Sequence, residues 1–73
     1  MRRMIEVTNK ADGKSFAVGI AHIAGLEPME DGGTKVITTL LINQVIEGSQ
    51  VRMIYAAHEV MEDYANLYGI INA

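Results

Sequence analysis

The chain lacks cysteine and tryptophan and has a single proline. Without cysteine it forms neither disulfides nor thiolate metal sites. Its two histidines, His22 and His58, are too few to close a zinc site by themselves. The sequence also lacks an apolar run of the ~18–20 residues that a membrane-spanning helix needs. We therefore expect no metal, no cofactor and no membrane association.

The chain is also short, which limits the core it can build. Its 73 residues are enough for one domain, which we place over 1–73. A domain of this size buries only about 60% of its unfolded surface, and small domains usually gain stability from disulfides, a metal or a partner subunit. Since the first two are excluded and 49% of the residues are hydrophobic, we expect a homo-oligomer.

Basic charge is scarce as well. The net charge is −3 and the sequence pI is about 5.1, so the basic stripe of a general nucleic-acid binder is missing and no binding to double-stranded nucleic acid is expected. Polar residues interrupt the N-terminal region, which removes the continuous apolar stretch of a secretion signal. These features predict a cytoplasmic protein of a bacterial cell, and they suit a phage-encoded protein equally.

Alternating apolar and polar residues in the first third of the chain predict antiparallel strands. Residues 4–20 alternate on both sides of Asp12-Gly13, a dipeptide typical of tight hairpin turns. Residues 23–29 predict a third short strand, which Pro28 limits to an edge position because proline lacks an N–H group. Asp31-Gly32 marks the next turn.

The second half predicts two longer strands and a helix. Residues 35–46 form the longest β-like segment, and it is apolar on both faces from Leu40 to Ile42. A last strand over 51–55 leads into a helix over about 57–68, where apolar residues recur at three- and four-residue steps, and Gly69 is the expected helix stop. We therefore predict a mainly β (α+β) fold, a small SH3-like antiparallel barrel of about five strands with one C-terminal α-helix.

The order of these short motifs resembles the FlbD-like family of small flagellar-operon proteins and related short phage and bacterial proteins. The resemblance rests on Met4–Thr8, on Asp12–Phe16, on Ile23 and Leu26–Pro28, on Gly33–Ile37 and on the junction Met53–Val60. It implies a small β fold that leads into a helix, and it implies the role of a flagellar-operon accessory regulator.

Catalysis is not expected. Neither Ser15 nor Ser49 lies in the context of a nucleophile elbow. The acidic residues Glu59, Glu62 and Asp63 are expected to form a solvated face of the predicted helix. His58 and Glu62 are spaced as an i, i+4 pair, which supplies only two metal ligands, and we interpret His58 as a surface residue. We therefore predict that the protein is not an enzyme.

A more informative cluster surrounds the junction between the last strand and the predicted helix. It consists of Arg52, Tyr55 and His58, with His22 at a separate loop edge. A cation, an aromatic ring and imidazoles suit an anionic or nucleotide-like ligand through charge-assisted hydrogen bonds and stacking. The alternative is structural: Tyr55 covers the core and Arg52 pairs with an acid.

Two functions of different kinds follow from these observations. The first is a non-enzymatic small oligomeric binding or adaptor protein that acts through protein partners. Its expected interface residues are Leu40, Leu41, Ile42, Val45, Ile46, Ile70 and Ile71. The second is a phage anti-defence protein that sequesters a small anionic ligand at subunit interfaces. The flagellar role implied by the family resemblance stays open beside them.

Overall fold

The computed structural model describes residues 3–46, 48 and 50–72, and for residues 44–46, 50 and 51 it describes the backbone alone. In chain order the elements are β1 (Met4–Thr8), β2 (Ser15–Gly19), a 3-10 turn (Ile20–His22), β3 (Ile23–Pro28), β4 (Thr34–Ile46), β5 (Gln50–Val60) and α1 (Tyr64–Ile71). The predicted mainly β fold with one C-terminal helix is confirmed.

The strands form two antiparallel sheets. β1 pairs with β2, and β4 lies between β3 and β5 in the second sheet. An isolated bridge between Asn9 and Val60 connects the two sheets, with a 2.9 Å hydrogen bond from the N–H of Met61 to the carbonyl of Thr8. In the described part of the chain these contacts do not close the strands into a barrel, so the predicted SH3-like barrel is not confirmed.

Both predicted Asp-Gly turns are present, and local chemistry explains them. Gly13 and Gly32 have φ angles of 71° and 96°, in the left-handed region that glycine enters without steric cost. The aspartate ahead of each glycine accepts a backbone hydrogen bond two residues on, from Lys14 N–H to Asp12 and from Gly33 N–H to Asp31, each 3.0 Å long. This is the turn stabilisation expected of aspartate.

The predicted helix over 57–68 is wrong in its first part. Residues 57–60 continue β5 and pair with residues 34–37 of β4, where Val60 is fully buried opposite Thr34. The helix begins after Asp63, whose carboxylate accepts hydrogen bonds from the N–H groups of Ala65 and Asn66, the usual N-cap arrangement. The helix does not stop at Gly69, which lies inside α1.

The hydrophobic core gathers side chains from four strands and the helix. Its buried members are Ile5, Val7, Val18, Val36, Val60 and Leu67. Leu67 is the one buried side chain of α1, so this residue anchors the helix to the sheets. Ile70 and Ile71, predicted to lie at an oligomer interface, are partly buried and pack against this core.

Candidate functional site

An irregularity in the middle of β4 shapes the candidate site. Ile37 pairs with Ala57 and Leu41 pairs with Tyr55, so β4 carries two more residues than β5 between these pairs. The buried hydroxyl of Thr38 compensates for the disturbed ladder: it donates to the carbonyl of Ala56 at 2.8 Å and accepts from the N–H of Leu40 at 3.3 Å. Because two residues are inserted, and two is the period of a strand, odd-numbered residues of β4 project from the same face of the sheet before and after the bulge.

Beyond this bulge, β4 and β5 continue as a two-stranded extension, residues 40–46 and 50–55, which we call the arm. β3 pairs with β4 only up to Thr38, so the third strand does not reach the arm. The molecule measures 42 × 26 × 20 Å along its principal axes. Its radius of gyration of 13.3 Å exceeds the ~11 Å expected for a compact 73-residue domain.

The arm exposes large apolar side chains on both faces. Directly paired residues project from the same face of a sheet, so Leu41, Asn43, Met53 and Tyr55 share one face, which we call the outer face. Its apolar members are about half exposed: Leu41 47%, Met53 62% and Tyr55 55%. Leu40 and Ile42 project from the opposite, inner face, at 64% and 41% exposure.

A groove of about 510 Å³ lies at the base of the arm on the inner face. Its lining residues are Ala17, Val18, Gly19, His22, Thr38, Thr39, Leu40 and His58. This volume is within the range of small-molecule sites. The groove therefore brings together two predicted ligand residues, His22 and His58, that are 36 positions apart in the chain.

Local packing orients both imidazoles. The ring of His22 lies over Gly19, where an added Cβ would be 3.0 Å from His22 Cδ2. The ring of His58 meets Phe16 edge to face, with centroids 5.2 Å apart and planes at 60°. Both histidines stay exposed. The two imidazoles can donate or accept hydrogen bonds with a ligand in the groove.

The predicted cluster of Arg52, Tyr55 and His58 does not form. All three residues lie on β5, not at a strand-to-helix junction, and alternation directs Tyr55 to the outer face. Arg52 shares the inner face with His58, but the two residues are six positions apart on β5, which corresponds to about 20 Å of strand. His58 is thus the member of this cluster that lines the groove, and its partner there is His22.

Glu62 forms a structural contact, not a helix-face pair with His58. Its carboxylate accepts the N–H of Thr8 at 2.7 Å and the hydroxyl of Thr8 at 2.9 Å, which ties β1 to the segment before α1. Partial burial, the largest influence, raises the pKa of Glu62, but the hydrogen bonds from Thr8 outweigh it and leave that pKa below its usual value. The predicted acidic helix face does not exist, since Glu59 lies on β5 and Glu62 precedes the helix.

Among the predicted interface residues, Leu40, Leu41 and Ile42 are exposed on the arm. The side chains of Val45 and Ile46 lie outside the described residues. Sequence reasoning missed the groove lining of Gly19, Thr38 and Thr39. The available signal was the pair Thr38-Thr39 between the apolar residues Val36-Ile37 and Leu40-Leu41, because a hydroxyl that is buried in a strand, as that of Thr38 is, needs a hydrogen-bond partner.

Within residues 3–46, 48 and 50–72, no group of three or more His, Asp or Glu side chains is arranged to hold a metal ion. In the same part of the chain no helix combines the length and apolar character that a bilayer crossing demands.

Comparison with known proteins gives no relative. No family model, no curated protein and no solved structure matches this chain. The resemblance to the FlbD-like family therefore stays a hypothesis based on the residues. The fold defines the chain only as a small, mainly β protein of two antiparallel sheets with a C-terminal helix.

Proposed function

We propose that this chain is a non-enzymatic binding protein that works as a homo-oligomer and engages a protein partner. The observation that carries the proposal is the arm, which exposes Leu40, Leu41, Met53 and Tyr55 to water. Large apolar side chains that are exposed together on one element typically mark an interaction site. A bacterial or phage origin, a cytoplasmic location and an SH3-like relationship of the five strands belong to the same proposal.

Surface area supports self-association. The chain exposes 5374 Å², whereas a compact monomer of this mass exposes about 4,450 Å². The excess of about 900 Å² is close to the ~800 Å² that each partner contributes to a standard stable interface. The excess exposed area of one copy is therefore about equal to the area that each subunit buries in a standard dimer interface.

Size-exclusion chromatography with light scattering tests the proposal at micromolar protein concentration. We expect a mass of at least twice 8.0 kDa. A strict monomer under these conditions would overturn the proposal. An arm variant carrying both Leu40→Glu and Tyr55→Glu, which places a charge on each face, is expected to be monomeric and to keep its far-UV circular dichroism spectrum.

The histidine groove favours a second candidate function, the sequestration of a small anionic ligand. His22 and His58 line one cavity of about 510 Å³, and two imidazoles can hydrogen-bond to the oxygen atoms of an anion held there. A thermal-shift screen against nucleotides tests this function. A rise in Tm that is absent in the double variant His22→Gln/His58→Gln supports it, and no shift with any nucleotide removes it.

A further inference from the structure

We infer that a second copy of this chain packs on the outer face of the arm, with the two arms antiparallel about a two-fold axis near the Leu41–Tyr55 pair. This inference rests on the proposed function, because it assumes self-association and specifies the face and the symmetry. The inner face then stays outside the contact, and the histidine groove remains open in each protomer.

Charge distinguishes the two faces of the arm. The described side chains of the outer face within the arm are Leu41, Asn43, Met53 and Tyr55, and none of them is charged. The inner face carries Arg52 within the same stretch. Interface cores are depleted of charged residues and enriched in tyrosine and methionine, so the composition of the outer face fits the centre of a protein contact better.

The outer face also continues past the bulge toward the base of the sheet. Ile37 and Ala57 are the next outward pair on β4 and β5, where Ala57 is exposed and Ile37 is half-buried. The core lies on the other side of this sheet, where Val36 and Val60 are fully buried. A sheet face of this length can pack on a second sheet at the usual ~10 Å separation.

Charges at the base of the sheet determine the direction of packing. Lys35 pairs with Glu27 on one side and with Glu59 on the other, which makes an outward row of net negative charge. If the two arms packed parallel, the negatively charged row of one copy would face the same row of the other copy. The two rows would then repel each other, because like charges across an interface are unfavourable. A two-fold axis perpendicular to the strands keeps the rows at opposite ends and makes the contact self-complementary.

Charge-insertion variants test which face is used. Asn43→Glu and Tyr55→Glu place a carboxylate on the outer face, and Leu40→Glu is the matched control on the inner face. We expect each outer-face variant to raise the dimer dissociation constant about 30-fold or more, while Leu40→Glu stays dimeric. Asn43 is exposed and polar, so its variant keeps the test informative if Tyr55→Glu fails to fold.

Cross-linking provides an independent readout, because the chain has no native cysteine. Tyr55→Cys is expected to form a covalent dimer with a short bismaleimide, and Leu40→Cys is expected not to. Three outcomes would overturn the inference and leave the proposed function standing. The dimer could dissociate with Leu40→Glu alone, with the variants of both faces, or with the variants of neither face. A monomeric wild type would overturn both. A complex with a different protein through the outer face, formed by a monomeric chain, would also reject the second copy.

Discussion

Gly33 shows at the residue scale how closely the backbone of this fold packs. A Cβ added at Gly33 would lie 2.5 Å from the carbonyl oxygen of Val60, which is backbone and cannot rotate away. Gly69 is the contrasting case, since a Cβ there meets nothing within 4 Å and the residue lies inside α1. Backbone contact therefore excludes a side chain at position 33, whereas position 69 has room for one.

Alanine substitution at these two glycines is expected to have opposite effects. Gly33→Ala should lower the free energy of unfolding by about 1–3 kcal/mol because β5 has to shift. Gly69→Ala should raise it by about 1 kcal/mol, because alanine favours a helix over glycine. Urea denaturation measures both, and a Gly33→Ala variant as stable as the wild type would show that this close approach is absent.

The hydrogen bonds of Glu62 predict acid sensitivity. Because its folded-state pKa is lowered, Glu62 contributes stability that is complete above its ordinary value of 4.5 and is lost as the pH falls through the folded-state pKa. Asp31 acts in the same direction, since the hydrogen bond from Lys10 lowers its pKa. We expect the Tm of the wild type to fall as the pH decreases below about 5.

Two variants separate the contribution of Glu62 from the rest. Glu62→Gln should cost about 1 kcal/mol at neutral pH and should flatten the decline in Tm on acidification. Thr8→Val removes the hydroxyl donor and keeps the backbone donor. The decline in Tm of this variant on acidification should therefore lie between the declines of Glu62→Gln and of the wild type. If Glu62→Gln loses as much stability in acid as the wild type does, the assignment of acid sensitivity to this contact is incorrect.

At the scale of secondary-structure elements, the bulge in β4 depends on one side chain. Thr38→Val replaces the hydroxyl that satisfies Ala56 C=O and Leu40 N–H. Leaving buried groups unpaired should cost about 1–3 kcal/mol. The neighbouring exposed residue supplies the control, and Thr39→Val should change stability by no more than about 0.5 kcal/mol. Equal effects of the two substitutions in urea denaturation would contradict this role of Thr38.

The elements differ in how far the sequence predicted them. Hairpin 4–20, the short third strand and the long strand from 35 to 46 followed from alternation and from Asp-Gly turns, which are local signals. The segment 57–60 was misassigned to the helix because its apolar spacing fits both periods. Pairing with residues 34–37 determines that this segment is a strand, and the paired residues are 20 to 26 positions apart in the chain.

At the scale of the whole molecule, self-association predicts that stability depends on concentration. A ligand or subunit that binds only the folded state raises its apparent stability by mass action. For a dimer of this size, raising the protein concentration about a hundredfold should increase Tm by about 5–10 °C. Differential scanning calorimetry at several concentrations measures this shift, and a constant Tm would indicate that folding and association are independent.

Composition and local pattern by themselves determined the class of this protein, which is small, mainly β, without cysteine, rich in apolar residues and ends in a helix. Strand alternation and turn chemistry act between neighbours in the chain, so they can be read from it. Only the tertiary structure decided where β5 ends and that the strands, in the part of the chain that the structure describes, form two sheets and no closed barrel. It also decided that His22 and His58 line one groove while Tyr55 projects from the opposite face of the sheet. Those features depend on register and on contacts between distant segments, which local periodicity does not specify.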